Sequence, residues 1–143
     1  MIFFESFEDR ITHWLTFRNE LETHLDPFQS VIDFWNKAPI SSRTCDPFDQ
    51  STWLDPWTLI EDNHYCEFSK ILAIYYTLAL TERFKDRYFE IQIINDREAH
   101  ELRYLLLVDD IVIGYYYNRT ILQEELPLDI SIQTVYPMLN DFS

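Results

Sequence analysis

Cys66 is the residue in this sequence best suited to nucleophilic chemistry. It lies three residues after Asn63, a residue type that often caps helices, and just before a long apolar segment. A cap at Asn63 would place Cys66 in the first turn of a helix, where free N–H groups and the helix dipole favour a thiolate over a thiol. The pattern predicts a nucleophile, although a lone cysteine near a core helix more often serves as a small apolar side chain.

His100 is the candidate general base for this thiol. The base must reach the thiol from a distant element of the fold, and His100 shortly precedes an apolar run at residues 102–108 that is typical of a strand. A lone histidine at the start of a strand is more often a solvated turn residue. The sequence alone is compatible with both interpretations.

Asn118 is a conditional candidate for orienting the histidine. Two apolar runs flank Asp109-Asp110 and predict a hairpin. If the turn has two residues, Tyr117 shares the face of His100. If the loop has three residues and extends through Ile111, Asn118 lies on that face instead. The longer loop is plausible because Asp-Asp lacks the glycine that favours a tight type I′ turn.

A metal site is an alternative use of similar side chains. His64, Cys66, Cys45 and His100 are all possible zinc ligands, but the two cysteines are 21 residues apart. The sequence contains no Cys-x-x-Cys or His-x-x-x-His pair, the spacings that place two metal ligands close together. We therefore predict neither a metal nor a cofactor.

Composition restricts the fold and the partner classes. The 143 residues, 47% hydrophobic and 17% aromatic, predict a single domain over residues 1–143 with a substantial core. The 25 Asp and Glu residues outnumber the 11 Lys and Arg residues, and the formal charge of -14 argues against nucleic acid or a membrane surface as the partner. The single glycine excludes glycine-rich phosphate loops. We expect a protein or peptide as the partner, because the chain is rich in the aromatic residues that are enriched at interfaces.

The sequence also predicts a reduced, cytoplasmic protein. Two cysteines are too few for a disulfide framework, and the first residues lack the pattern of a signal peptide. The longest apolar stretch, residues 71–80, is far shorter than the ~20 residues that span a bilayer. We therefore expect no transmembrane segment.

Apolar periodicity predicts helices first and strands second. Helices are expected at residues 5–24, after Asp26-Pro27, after Asp55-Pro56 and at residues 64–83. The last is apolar nearly all round and therefore central, and residues 39–52 are expected to form a loop. From residue 87 the period changes to two, predicting strands at residues 88–93, with one solvent-facing side, and at residues 102–108, 111–117 and 128–135. This order predicts an α+β fold in which N-terminal helices and a central helix pack on a small antiparallel sheet.

The first predicted helix has an irregular apolar face. Its stripe consists of Phe7, Ile11, Trp14, Leu21 and Leu25. Arg18 interrupts the stripe.

One segment carries a set of residues with a recognisable spacing: Trp53, Pro56, Ile60, Cys66 and Glu67. At this spacing the segment resembles the nucleophile region of the bacterial transglutaminase-like cysteine peptidases. In that family a Trp-x-x-Pro-x-Glu-x-Leu segment precedes a Gly-Asp-Cys-Glu-Asp motif at the start of the central helix. The resemblance implies a papain-like α+β fold.

The downstream order of elements is similar as well. In the family a histidine opens an apolar strand, and a short turn and a second strand ending in an acidic or amide residue follow. His100 and Asn118 occupy the corresponding places, so the resemblance covers about residues 53–118. It implies that Cys66 attacks an amide carbonyl, that His100 takes and returns the proton, and that Asn118 orients the imidazole.

Four positions depart from the family's pattern. Thr58 stands in place of the Glu, His64-Tyr65 in place of the Gly-Asp, and Phe68 in place of the Asp after the Glu. In the family these groups order the site, so the fold can persist without the activity. We therefore expect a catalytically degenerate protein-binding module, with an active thiol hydrolase or acyl-transfer enzyme as the alternative.

Aromatic content supports the binding hypothesis. The sequence holds more rings than a core of this size needs, and aromatic residues are enriched at interfaces. The rings that we expect at a binding surface are Trp53, Trp57, Phe48 and Tyr115-Tyr116-Tyr117. Burial in the core is the alternative for each of them.

Overall fold

The computed structural model describes residues 2–41 and 45–140. The chain groups into two compact units, Met1–Lys85 and Asp86–Ser143, and each is described by itself. The first unit is helical, and the second contains an antiparallel sheet. The predicted α+β class is confirmed, and the single domain stays a prediction.

The described part of the first unit contains four α-helices, each of which begins after a side chain that accepts a backbone N–H. The caps are Ser6, Asp26, Asp55 and Cys66. The helices are α1 (Phe7–Leu21), α2 (Pro27–Trp35), α3 (Pro56–Asp62) and α4 (Glu67–Ala79). Short 3-10 helices cover Ile2–Phe4 and Gln50–Thr52, and residues 42–44 of the predicted loop lie outside the described residues.

Both predicted Asp-Pro helix starts are confirmed. The Asp26 carboxylate accepts the N–H of Gln29 at 3.2 Å, and the Asp55 carboxylate accepts the N–H of Thr58 at 2.9 Å. In each case the proline occupies the first helical position, where its missing N–H costs nothing.

Helix α1 is shorter than predicted, and its buried face matches the predicted stripe at Trp14 and Leu21. It ends at Leu21, so Leu25 lies beyond the helix and is fully exposed. Phe7 is also exposed, whereas Arg10 and Phe17 are buried. The predicted stripe was therefore wrong at both ends, and a charged residue contributes to the buried face.

Arg10 is buried because three carbonyl groups receive its guanidinium. Nε donates to Ile60 O at 3.2 Å, Nη2 to Glu61 O at 3.0 Å and Nη1 to Glu5 O at 2.6 Å. Two of these carbonyls belong to the last turn of α3, where a helix leaves its carbonyls unpaired and the dipole favours a cation. Arg10 thus joins α1 to the end of α3.

Helix α4 is apolar around its circumference, as predicted, and every described side chain in it after Glu67 is buried.

The predicted bounds of α4 were wrong. Asn63 does not cap it, because Asn63 takes a left-handed conformation (φ 55°) and ends α3, donating its N–H to Leu59 O. The helix ends at Ala79 rather than near residue 83. Beyond it, the N–H groups of Glu82 and Arg83 bond the Glu22 carboxylate, both at 2.9 Å.

Thr77, in the middle of α4, connects three helices. Its Oγ1 donates to Ala73 O at 2.6 Å and accepts the indole N–H of Trp14 from α1 and of Trp35 from α2, each at 3.0 Å. All three side chains are buried. A single hydroxyl therefore satisfies both indole donors in the interior of the unit.

The second unit contains a five-stranded antiparallel sheet in the order β4-β3-β2-β1-β5. Its strands are β1 (Phe89–Asp96), β2 (Glu101–Val108), β3 (Ile111–Ile113), β4 (Ile121–Leu122) and β5 (Ile130–Met138). A 3-10 helix covers Gln123–Glu125. The fourth predicted strand is confirmed as β5, whereas the sequence did not predict the two-residue β4.

The predicted hairpin forms with a two-residue turn. Val108 pairs with Ile111, and Asp109 takes a left-handed conformation with φ 54°. Strand β3 ends at Ile113 instead of continuing to residue 117, because the chain turns at Gly114, whose φ of 107° strongly favours glycine.

Strand β1 does not have the predicted solvent-facing side. Gln92 and Asp96 are buried, and Ile94 on the same face packs in an apolar cluster. The cluster comprises Ile94, Leu105, Leu107, Val112 and Ile121, with Tyr115, Leu126 and Ile130 packed against it. Alternation failed as a guide because both faces of β1 are buried, and Tyr115, Leu126 and Ile130 pack against the cluster on the face that was predicted to be exposed.

Thr77 provides a test of the helical core. Thr77→Val keeps the side-chain volume but leaves two buried indole donors without an acceptor, and each such donor costs ~1–3 kcal/mol. We expect the free energy of unfolding, measured by urea denaturation, to fall by about 2–4 kcal/mol. Thr77→Ser keeps the hydroxyl and should cost only about 1 kcal/mol for the lost methyl group. Equal stability of the two variants would contradict this account.

Candidate functional site

Cys66 is the N-cap of α4 and not a residue of its first turn. Its φ of -107° and ψ of 174° are extended, and its Sγ accepts the N–H of Ser69 at 3.4 Å. In return, the Ser69 hydroxyl accepts the Cys66 N–H at 2.8 Å, which completes a capping box. Cys66 is half-buried, and its Sγ lies at the positive end of the helix dipole because it accepts an N–H of the first turn.

Lys70 lies one turn further along α4. It is buried, and its Nζ lies 3.3 Å from Asn36 Oδ1. Burial lowers the pKa of Lys70, and the nearby Glu67 partly opposes this shift. Lys70 could not be singled out from the sequence, because its burial depends on Asn36 at the end of α2.

Three residues at positions of the transglutaminase-like motif, Trp53, Thr58 and Phe68, have structural roles. Thr58 donates its hydroxyl to the Asp55 carboxylate at 2.9 Å and so reinforces the cap of α3. Trp53 packs on the buried Phe68 with ring centroids 4.9 Å apart, and its indole N–H donates to Asp46 O at 2.9 Å. These contacts stabilise the segment that precedes Cys66.

Tyr65, the residue before Cys66, is also part of the core. It is fully buried, and its ring packs against those of Phe3 and Trp35 at 5.6 and 5.5 Å. Burial raises the pKa of its hydroxyl well above the ordinary range. Tyr65 therefore remains neutral and acts as a packing residue beside the thiol.

His100 lies in the turn between β1 and β2, immediately before the first residue of β2, close to its predicted place. It is exposed and takes a left-handed conformation with φ 55°. Asp96 stabilises this turn by accepting the N–H groups of Glu98 at 3.1 Å and Ala99 at 3.2 Å. The Arg103 Nε also donates to Asp96, at 3.0 Å.

Asn118 lies beyond the end of β3 and is exposed. The three-residue loop that would place it opposite Leu102 does not form, and the pairing of β2 with β3 ends at Leu106 and Ile113. Strand pairing therefore does not bring Asn118 to the face of His100. Cys66 belongs to the first unit and the other two residues to the second, so the triad stays a prediction.

Tyrosine and arginine side chains are concentrated after β3, in a region that we call the tyrosine surface (Tyr116, Tyr117 and Arg119). Tyr116 and Tyr117 are 43% and 71% exposed, and the Arg119 guanidinium lies 4.1 Å from the centroid of the Tyr116 ring. Tyr115 is half-buried and meets Tyr116 edge to face at 5.0 Å. The neighbouring ring and cation hold Tyr116 in place, and Tyr117 is the more exposed of the two tyrosines.

The first unit also exposes aromatic rings. Phe48 and Trp57 are exposed, whereas Trp53 is half-buried.

The Arg18 guanidinium lies over two aromatic rings, 4.7 Å from the centroid of Trp14 and 5.7 Å from that of Trp57. Its buried Nε and Nη1 have no hydrogen-bond partner among residues 2–41 and 45–140, and burial lowers its pKa. Arg18 thus extends the buried stripe of α1 through contact with rings, which the sequence analysis did not recognise.

Metal-binding and membrane-spanning features are both absent from the described part of the chain. No group of three or more His, Cys, Asp or Glu side chains there could hold a metal ion. None of the helices in the same residues is both long and apolar enough to cross a bilayer.

The turn at Asp96 gives a pH-dependent prediction. The pKa of Asp96 lies below its ordinary value of 3.8. The hydrogen bond from the Ala99 N–H lowers this pKa most, and those from Arg103 and the Glu98 N–H lower it further, whereas burial raises it. Because the folded-state pKa is lowered, the stabilisation is present above about pH 4 and is lost as the pH falls through the folded-state pKa. We expect Asp96→Asn to destabilise the protein at pH 7 and the difference from wild type to shrink below pH ~4.

Urea denaturation at pH 7 and pH ~3 measures this difference. Asp86→Asn, which changes an exposed carboxylate at the start of the same unit, is the matched control and should have little effect at either pH. A gap between wild type and Asp96→Asn that does not depend on pH would contradict the prediction.

Comparison with known proteins gives no match of any kind. No protein-family model matches the chain, and neither the curated proteins nor the solved structures contain a match to it. The resemblance over residues 53–118 therefore rests on its motif residues alone.

Proposed function

We propose that this protein is a protein-binding module with a transglutaminase-like fold whose catalytic site is degenerate. The observation that carries the proposal is the exposure of Tyr116 and Tyr117 beside Arg119. Tyrosine and arginine are the residue types enriched among the residues that dominate binding energies. Stacking also limits the freedom of Tyr116 before binding, which lowers the entropy lost on association.

The motif positions support the degenerate part of the proposal. Thr58, at the family's Glu position, is engaged by the Asp55 cap, and Phe68, at an Asp position, is buried in the first unit. Neither side chain can supply the charge that its counterpart supplies in the family. The proposal places the protein in the reducing cytoplasm, which fits the thiol state of Cys45 and Cys66.

Removing the exposed ring tests the binding proposal. We expect Tyr117→Ala to reduce the capture of a specific protein partner by about tenfold or more, because truncating a dominant interface residue costs ~2 kcal/mol or more. Quantitative mass spectrometry compares proteins captured by the wild type and by the variant. Tyr88→Ala removes a comparably exposed ring from the same unit and should leave capture unchanged. Equal capture by wild type and Tyr117→Ala would refute a role for this surface.

An active thiol enzyme is the second candidate, and the capped Cys66 favours it. In this hypothesis Cys66 attacks an amide carbonyl, His100 transfers the proton and Asn118 orients the imidazole. The hydrogen bond from the Ser69 N–H to Sγ at 3.4 Å is the observation in its support, because donors at a helix N-terminus stabilise a thiolate.

The pH dependence of Cys66 alkylation by iodoacetamide separates the two candidates. Cys66→Ala reports the background from Cys45, which is buried. On the binding proposal we expect His100→Ala to leave the pH profile unchanged. A rate that titrates well below pH ~8.5 in the wild type and shifts in His100→Ala would instead support a thiolate–imidazolium pair.

A further inference from the structure

The two edges of the sheet differ in length and protection. Strand β4 has two residues and leads into a 3-10 helix that carries Glu124 and Glu125. Strand β5 has nine residues and pairs with β1 on one side, and no strand in the described residues pairs with its other side. Only β5 is long enough to accept a further strand.

Strand β5 also lacks the charges that usually protect an edge. Its sequence, Ile-Ser-Ile-Gln-Thr-Val-Tyr-Pro-Met, contains no ionisable acid or base apart from the tyrosine hydroxyl. Natural edge strands commonly carry lysine or inward-pointing charges that prevent pairing with other chains. The protective features here are a bulge, where Gln133 is skipped between the pairs Ile93–Thr134 and Ile94–Ile132, and Pro137.

Pro137 reveals which backbone groups face the free edge. It is the partner of Glu90 in β1 but has no N–H to donate. Backbone groups of alternate residues in a strand point to opposite neighbours, and prolines in edge strands place their nitrogen on the outer side. Val135, two residues earlier in the same register, therefore directs its N–H and C=O away from β1.

One face of β5 presents apolar side chains beside that free edge. Ile132 and Val135 are 56% and 39% exposed, and their partners across the pairing, Ile94 and Gln92, are buried. Paired residues lie on the same face of an antiparallel sheet. An added strand would therefore extend this face and cover both exposed side chains.

Charge identifies the kind of strand that fits. Residues 86–143 contain eleven acidic residues and four arginines, and Asp129 and Glu90 lie near opposite ends of β5. A second copy of the chain would bring the same negative charge, whereas a segment with lysine or arginine would be attracted. We propose that β5 binds an extended basic peptide segment as a sixth strand of the sheet. This inference does not depend on the tyrosine surface, so either can fail alone.

A variant that lacks one outward-facing backbone N–H of β5 tests the proposal. The probe is a fluorescent nine-residue peptide in which lysine alternates with valine, and binding is followed by fluorescence anisotropy. Val135→Pro removes one outward N–H without removing a bond to β1, and we expect it to weaken binding at least tenfold. Val135→Thr keeps both the N–H and the β-branched shape and should bind within about twofold of wild type.

A second measurement uses only the wild-type protein and so does not depend on the folding of a variant. The same peptide is N-methylated at the alternate residues whose N–H groups would bond to β5. It keeps its charge but loses these hydrogen-bond donors. We expect it to bind at least tenfold more weakly, and replacing lysine by glutamate should have a similar effect.

Four results would overturn the inference. Equal binding of the methylated and unmethylated peptides would mean that charge alone attracts the probe, as would unchanged binding by a folded Val135→Pro. Loss of binding in Tyr117→Ala but not in Val135→Pro would assign the peptide to the tyrosine surface, which would leave the proposed function intact. A wild-type dimer in sedimentation that Val135→Pro dissociates would identify a second copy as the occupant.

Discussion

The hydrogen bonds that converge on Thr77 determine how three helices meet in the first unit. Its hydroxyl donates within α4 and accepts from Trp14 and Trp35, so both tryptophans are oriented as well as buried. Hydrophobic burial alone is not directional, and it would not set the rotation of α1 and α2 about their axes. The large apolar surface of the two rings supplies most of the stabilisation, and the shared oxygen specifies one arrangement.

Charged side chains also join the helices, and their positions explain where sequence reasoning failed. Arg10 and Arg18 both lie on the buried side of α1, one bonded to carbonyl groups and the other packed on aromatic rings. A hydropathy pattern treats arginine as a break in an apolar face. Its burial becomes favourable only when a distant residue supplies a partner, and the partners here include Ile60, Glu61 and Trp57. No local pattern could have predicted them.

Local chemistry was predictable where the interaction itself is local. The starts of α2 and α3 followed from Asp-Pro pairs, because the capping carboxylate and the bonded N–H are three residues apart. The β2–β3 hairpin likewise followed from the two apolar runs around Asp109-Asp110, whereas the length of its turn did not. The start of α4 did not, because both Asn63 and Cys66 can end or cap a helix. At the candidate site, the place of His100 followed from the strand pattern, whereas that of Asn118 depended on where β3 ends.

The left-handed conformations of Asn63, His100 and Asp109 have a consequence for the unfolded chain. In most proteins glycine fills many such positions, and each glycine enlarges the set of conformations that folding must restrict, at a cost of roughly 0.5–1 kcal/mol. This chain contains one glycine in 143 residues and adopts these conformations with side chains present. Its unfolded ensemble is therefore narrower than that of a typical chain of the same length, and this smaller entropy loss on folding offsets part of the steric cost of holding non-glycine residues at positive φ.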